Sequence, residues 1–361
     1  MNYVFCSSHG SLFIALDLKN SGKEITIITY SEATKKYCLA ANITHIYFET
    51  IRPEFRLTIR PIRLIRLAVK ALLDAVNLKN RLDALIEKIN FGEEDSFYLL
   101  TRWISYEDFY LAKELSKKGK GTVYLSGIAW RELGIYRTKF NPVFFECLFN
   151  KYLLKIFLGL DLIFYETNAV PRFGINDKFL KKNKIKETTH DRGFFELVAD
   201  VVKKAKTGQK RYDNLFLSES SAITSIITYE STRNIYKNLA DLPLEFVVKK
   251  HPRITEEKSQ IDILFEEFFK DWEELPEYIP AELFFNSIKK NVIAVMSQAL
   301  IVASHLEHLR AISLLELVEW YNEAYKSEIK NLLMKMSKNR IIFVKDFEEL
   351  KQVLIYSQVR M

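Results

Sequence analysis

The sequence has 361 residues, of which 48% are hydrophobic and 27% charged, with only 11 Gly and 8 Pro. This composition is that of a folded protein and excludes long disordered or low-complexity stretches, while the length favours two domains. Lys and Arg outnumber Asp and Glu by 53 to 46, and the resulting net charge of +7 favours anionic partners such as nucleotides or phospholipid headgroups.

Cysteine spacing and hydropathy exclude several further classes. Cys6, Cys38 and Cys147 are far apart, so the sequence indicates neither a disulfide framework nor a zinc site. No window holds 18 uninterrupted apolar residues, and charged side chains interrupt the richest apolar stretch, 144–166. The first residues lack the basic region of a signal peptide. We therefore expect a cytoplasmic protein, with any membrane contact being peripheral and at the inner face of the cytoplasmic membrane.

The first half of the chain predicts a parallel α/β layer of about five strands. "YVFCSS" predicts a strand, "SLFIALDLKN" a helix and "KEITIITYS" a second strand. A helix is expected to begin near Pro61, because proline fits a first helical turn. Further strands are expected over 96–102, 121–127 and 161–166, with a helix over 106–119.

A series of arginines precedes and enters the helix that begins near Pro61. Their spacings of three and four residues place several of them along one helical face. The simplest interpretation is a solvated helix surface. The sharper one is docking to anionic lipid or to a phosphorylated, lipid-linked acceptor. The residues are Arg52, Arg56, Arg60, Arg63 and Arg66.

The chain turns polar and basic between 176 and 212, and we place the domain boundary there. This predicts an N-terminal domain over 1–185, a linker and crossing helix over 186–211, and a C-terminal domain over 212–361. In the last of these the alternation restarts with the strands "YDNLFLSES", "LEFVVKKHPR" and "NVIAVMSQAL", followed by a helical region over about 299–336 and a last strand and helix.

Polar side chains fall at strand ends of the second domain, where open parallel sheets bind ligands. His251 leaves the sheet just before Pro252, and an imidazole that titrates near neutral pH suits a departing phosphate oxygen. Ser297 lies at a strand-to-helix turn, which favours anions, and Glu282 at a helix start could accept from ribose hydroxyls. Taken singly, these features also fit a solvated strand end, a helix cap and a helix N-terminal charge.

Their order along the chain resembles the bacterial sialyltransferases of GT-B fold, especially the lipooligosaccharide sialyltransferases of glycosyltransferase family 52. The residues that carry the resemblance are "KKHPR" at 249–253, Glu282 after Pro280, and Ser297. The resemblance implies an α/β fold with two Rossmann-like domains facing a cleft, and no metal. It implies that the domain over 1–185 lies on the acceptor side and that the domain over 212–361 binds the nucleotide sugar. It also implies His251 as general acid or phosphate contact, Glu282 on the cytidine ribose, and Ser297 on the phosphate of CMP-sialic acid. Lys249 and Arg253 would add positive charge there.

The sequence departs from the family pattern at two places. The serine pair of the family is Ser297-Gln298 here, and the acidic D/E-D/E-G motif that supplies the general base is missing. After the first strand of the second domain, where Ser218 opens a run of small residues, the carboxylates that could replace it are Glu219 and Glu230. Another version of the motif would stand near Glu132.

The sequence therefore predicts an inverting, metal-independent glycosyltransferase that moves sialic acid or a related sugar from a CMP donor to a bacterial surface glycan, lipooligosaccharide or capsule. It needs no cofactor beyond that donor. The alternatives are a GT-B transferase with another nucleotide sugar and a catalytically degenerate glycan-assembly protein. No nucleic-acid motif accompanies the basic residues, and the sequence leaves open a homodimer.

Overall fold

In the computed structural model the chain divides into two compact units, Met1–Phe194 and Phe195–Met361. The structure describes residues 1–6, 9–50, 61–100, 105–124, 142–165, 172–188, 193–205, 210–219, 223–224, 226–251 and 259–355.

The first unit alternates strands with helices. Its strands are β1 (Asn2–Phe5), β2 (Ile25–Thr29), β3 (His45–Tyr47), β4 (Ser96–Leu99), β5 (Lys120–Tyr124), β6 (Ile163–Tyr165), β7 (Arg172–Gly174) and β8 (Ile185–Thr188). Its helices are α1 (His9–Asn20), α2 (Glu32–Ala40), α3 (Pro61–Lys88), α4 (Tyr106–Leu115), α5 (Pro142–Leu158) and α6 (Asp177–Lys182).

The second unit repeats the alternation after one leading helix. Its strands are β9 (Tyr212–Leu217), β10 (Phe246–Lys249), β11 (Glu273–Glu274), β12 (Ile288–Ala294), β13 (Arg310–Ser313) and β14 (Ile342–Phe343). Its helices are α7 (Phe194–Lys204), α8 (Tyr229–Ala240), α9 (Gln260–Phe269), α10 (Gln298–Ser304), α11 (Glu323–Met336) and α12 (Phe347–Ile355), with 3-10 helices at Ala281–Ser287 and Leu315–Leu317.

Both units contain a six-stranded sheet with the same strand order. The first sheet runs β3-β2-β1-β4-β5-β8 and the second β11-β10-β9-β12-β13-β14. Every pairing within the two sheets is parallel. In each sheet the first strand lies at the centre, the next two strands extend the sheet on one side, and the last three extend it on the other side. This is the order of a Rossmann fold, and it confirms the predicted α/β class with two Rossmann-like domains.

Burial and capping explain why these segments form these elements. The central strands bury apolar side chains, and Val4, Ile27, Phe216 and Val247 are fully buried, as expected when helices cover a parallel sheet. Several helices, including α2, α4 and α10, begin after a side chain that accepts a hydrogen bond from the first turn. At α9 a complete capping box is present, because Ser259 Oγ accepts from the backbone N–H of the third helical residue, whose carboxylate accepts from Ser259 N.

The structure corrects three predictions. The strand expected over 161–166 is β6, but it pairs antiparallel with β7 and lies outside the six-stranded sheet. The region 299–336 is not wholly helical, because β13 interrupts it. Residues 186–188, predicted as linker, belong to β8, which pairs with β5. The segment "IKET" was not predicted as a strand because an edge strand alternates buried and exposed residues too briefly to show a pattern.

Candidate functional site

The strand order of the second sheet reverses between β9 and β12. From β9 the chain continues to β10 on one side, and it later returns to β12 on the other side. Open parallel sheets bind ligands in the crevice that this divergence leaves outside the carboxyl ends of the strands. Ser218 and Glu219 directly follow β9, and Ser297 follows β12. The structure therefore brings these three predicted residues to one edge of the sheet.

The Glu219 carboxylate joins the two strands at this edge. Its Oε1 accepts hydrogen bonds from the backbone N–H groups of Val295, at 3.0 Å, and Met296, at 3.2 Å. The residue is 7% exposed. No group in the described part of the chain donates to Oε2. One carboxylate oxygen is thus anchored to the end of β12.

Burial raises the pKa of the Glu219 carboxyl to about 8, although the two backbone N–H groups act in the opposite direction. Near neutral pH the group is therefore mostly protonated. Burial raises the pKa of carboxyl groups in the same way in many enzyme active sites.

Lys249, at the end of β10, is 2% exposed. Its Nζ donates to the carbonyl oxygens of Pro276, at 2.9 Å, and Glu277, at 3.2 Å. Burial lowers the pKa of Lys249 to about 8, while the carboxylates of Glu282, Glu277 and Glu274 favour the charged form. The ammonium group was predicted to add positive charge around the departing phosphate. The structure shows that it holds the backbone of the segment leading to the 3-10 helix Ala281–Ser287.

Glu282 lies in the first turn of that 3-10 helix, after Pro280. Burial of its carboxyl raises the pKa of Glu282, and the positive charge of Lys249 partly offsets the rise. The residue keeps part of its surface exposed. Lys249 therefore influences Glu282 in two ways, through its charge and through the backbone that it holds.

Ser297 is the N-cap of α10, and its Oγ accepts from the backbone N–H of Ala299 at 3.2 Å. The interpretation of Ser297 as a helix cap is therefore confirmed. Gln298 follows as the first helical residue, and both are partly exposed. Ser218 is buried, and its backbone N–H donates to the Lys249 carbonyl at 3.0 Å, which continues the pairing of β9 with β10.

The remaining predicted residues are distributed differently. His251 lies two residues beyond β10 and is exposed. Glu230 lies in the first turn of α8 and is also exposed, on a helix that Thr228 caps. Arg253 and Glu132 lie outside the described residues.

Sequence reasoning missed the groups that hold this edge together. They are the backbone N–H groups of Val295 and Met296 and the carbonyl groups of Pro276 and Glu277. Backbone groups carry no signal in the sequence, so only the register of β9, β10 and β12 could reveal them. The nearest signals were the two ionisable side chains that bind them, Glu219 and Lys249.

Within the described ranges, no three His, Cys, Asp or Glu side chains are grouped so that they could hold a metal ion. None of the helices in those ranges is long and apolar enough to cross a membrane. A cavity of about 710 Å³ lies at the opposite edge of the second sheet, near the start of β12, and is lined by Lys203, Arg211, Lys289 and His308 among others.

No family model matches this sequence, and a search of curated proteins finds no match. The structure is similar to a spinosyn rhamnosyltransferase, SpnG, complexed with thymidine diphosphate, with 12% identity and a TM-score of 0.43 over 99% of this chain and 91% of that chain. It is similar to E. coli ADP-heptose LPS heptosyltransferase II, with 10% identity and a TM-score of 0.39 over 99% of both chains.

A third similar structure is UDP-GlcNAc 2-epimerase from Neisseria meningitidis bound to UDP-GlcNAc. Its identity is 9% and its TM-score 0.44, over 99% of this chain and 98% of that chain. At these levels of similarity the assignment of fold depends on the strand orders, and any assignment of function depends on the residues at the carboxyl edge of the second sheet.

Proposed function

We propose that this chain is an inverting, metal-independent glycosyltransferase whose nucleotide-sugar donor binds at the carboxyl edge of the second sheet. The observation that carries the proposal is the position of Glu219, a buried carboxyl anchored to two backbone N–H groups between β9 and β12. That position is where doubly wound sheets bind nucleotides. Two successive Rossmann-like domains are also the components of a GT-B glycosyltransferase.

The donor proposed is CMP-sialic acid or a related CMP-sugar, and the acceptor is a hydroxyl of a bacterial surface glycan or glycolipid. This choice depends on the resemblance to family 52. Support comes from the exposure of His251 beyond β10 and from the proximity of Ser297 and Glu219 at the end of β12. The residues proposed to hold the donor are Ser218, Lys249, Arg253, Glu282, Ser297 and Gln298.

In the proposed reaction a carboxylate removes the proton from the acceptor hydroxyl as its oxygen forms a bond to the anomeric carbon. The bond between that carbon and the phosphate oxygen breaks, and CMP departs with the electron pair of that bond. His251 stabilises the departing phosphate by donating a proton or a hydrogen bond. Attack from the face opposite to CMP inverts the configuration.

Glu219 and Glu230 are the two candidates for the base. Glu219 is favoured by its anchored Oε1 at the carboxyl edge of the sheet and by a pKa raised to about 8. Glu230 is exposed on α8. A base works in its deprotonated form, so with Glu219 in that role the rate should rise as the pH increases through about 8. Glu219→Gln should abolish this rise, while Glu230→Gln should not.

The test begins with thermal unfolding in the presence of CMP, UDP, GDP, ADP or TDP. A nucleotide at a hundred times its Kd stabilises the folded state by about 2.7 kcal/mol, which is readily measured as a higher Tm. The proposal predicts that CMP raises Tm and that the protein hydrolyses CMP-sialic acid. His251→Ala should retain the CMP shift and lose hydrolysis.

The same experiment separates the alternatives. A shift with UDP, GDP, ADP or TDP but not CMP would support a transferase with another donor and reject the CMP assignment. A CMP shift without turnover on any acceptor would support a catalytically degenerate protein. If no nucleotide changes Tm, the proposed site on the second sheet is wrong.

A further inference from the structure

The long helix α3 exposes a stripe of large apolar side chains. The stripe consists of Ile65, Val69, Leu72, Leu73 and Val76, which are 64%, 49%, 38%, 59% and 38% exposed. Their spacing of three, four and seven residues places them on one side of the helix. A different side of α3 packs into the first unit through Ala71, Ala75, Leu78 and Leu82. The helix therefore has two apolar sides, of which only one is buried.

Positive charge lies next to this exposed stripe. Arg66 and Lys70 are exposed beside it, and within the described residues neither forms an ion pair. The sequence from 55 to 73 contains five basic residues and no Asp or Glu. An apolar stripe beside a basic face is the pattern of a helix that lies in the interfacial plane of a membrane.

The neighbouring helix α5 extends the apolar surface. It packs on α3 through a small buried cluster that contains Ala71 and Leu153. It also exposes Tyr152, at 55%, and Ile156, at 72%, which are one helical turn apart. An amphipathic Tyr side chain suits the level of lipid headgroups.

We propose that the exposed side of α3 docks onto the anionic surface of a lipid bilayer. The apolar stripe enters the boundary between headgroups and acyl chains, and Arg66 and Lys70 contact headgroup phosphates. A second copy of the chain fits less well, because a two-fold interface through this stripe would bring Arg66 and Lys70 of both copies close together. The inference does not depend on the proposed glycosyltransferase activity.

The test is flotation of the full chain with vesicles of phosphatidylcholine alone, or of phosphatidylcholine mixed with phosphatidylglycerol. We expect binding to the mixed vesicles, weakened by salt, and little binding to phosphatidylcholine alone. Ile65→Ser/Leu73→Ser should reduce binding to mixed vesicles roughly tenfold or more, because the buried apolar area decreases. Arg66→Gln/Lys70→Gln should do likewise at low salt, because about one order of magnitude is the expected effect of two charges.

The matched control is Ile263→Ser on α9, where Ile263 is 52% exposed on the second unit. This variant should bind the vesicles as the wild type does. Because all these side chains are exposed, circular dichroism should show each variant to be folded. Equal binding to both kinds of vesicle, or undiminished binding of both double variants, would overturn the proposal. So would a dimer, measured by light scattering, that Ile65→Ser/Leu73→Ser converts to a monomer.

Discussion

Replacing Glu219 by Gln should remove a pH dependence of stability that the buried carboxyl imposes on the second unit. The folded protein retains the Glu219 proton up to about pH 8, whereas the unfolded chain releases it near the ordinary pKa of 4.5. Between these values the folded state binds the additional proton. The free energy of unfolding therefore falls as the pH rises, and the fall ends once the pH exceeds the folded pKa of about 8.

The size of the effect follows from the two pKa values. Each pKa unit corresponds to about 1.4 kcal/mol, so a rise from 4.5 to about 8 corresponds to about 5 kcal/mol. A Gln side chain has the same shape and can still accept from Val295 and Met296 through Oε1, but it has no proton to release. The stability of Glu219→Gln relative to wild type should therefore increase by about 5 kcal/mol across this pH range.

The measurement is urea unfolding of wild type and variant at several pH values between about 4.5 and 9. Comparing the two proteins cancels the contributions of the other titrating groups. Glu230→Gln is the matched control, because Glu230 is exposed, and it should follow the wild-type curve. If Glu219→Gln and wild type gave parallel pH profiles, Glu219 would not be a buried carboxyl with a raised pKa, and its proposed acid–base role would lose its basis.

Three further substitutions test other parts of the structure. Gly121→Ala should lower the free energy of unfolding by about 1–3 kcal/mol, because a Cβ there would lie 2.2 Å from the buried Phe97 ring. Thermal unfolding of Gly92→Ala is the control, because a Cβ at that position would meet nothing nearer than 3.8 Å. Asn286→Ala should lower the free energy of unfolding by about 1–3 kcal/mol, because the Nδ2 group donates to two carbonyl oxygens at the end of α7, at 2.5 and 3.1 Å. An unchanged midpoint of urea unfolding would contradict this prediction. Ser297→Asp should keep the N-cap of α10, since Asp caps a helix as well as Ser does. The added negative charge should repel the phosphate and weaken CMP binding roughly tenfold or more. If calorimetry shows undiminished CMP affinity, Ser297 does not belong to the donor site.

The sequence predicted the repeated α/β alternation because short apolar segments bounded by polar residues alternate with segments of helical periodicity. It did not predict β13, a strand of only four residues between two helices, or β11, which has two residues and is acidic. Such strands exist because a neighbouring strand pairs with them, and their own residues carry little preference. The same limit applies to the site. Glu219 was named from its place after β9, but its anchorage to β12 depends on a strand order that no local pattern contains.

Glu219 and Lys249 together give a reason to regard this edge as functional. At pH 7 the burial of each costs about 3 kcal/mol, because the pKa of Glu219 is raised from 4.5 to about 8 and that of Lys249 is lowered from 10.5 to about 8. The Glu219 cost grows up to about pH 8, whereas the Lys249 cost is full below about pH 8 and declines above it. A neutral side chain of similar size would avoid either cost.

The proposed role in ligand binding would account for the presence of both groups. The double variant Glu219→Gln/Lys249→Met should therefore bind CMP roughly tenfold more weakly or worse. In urea at pH 7 its neutral side chains avoid the cost of burial, which the loss of the Lys249 hydrogen bonds to Pro276 and Glu277 offsets in part. A variant that is more stable and binds CMP as tightly as wild type would show that neither charge serves the ligand.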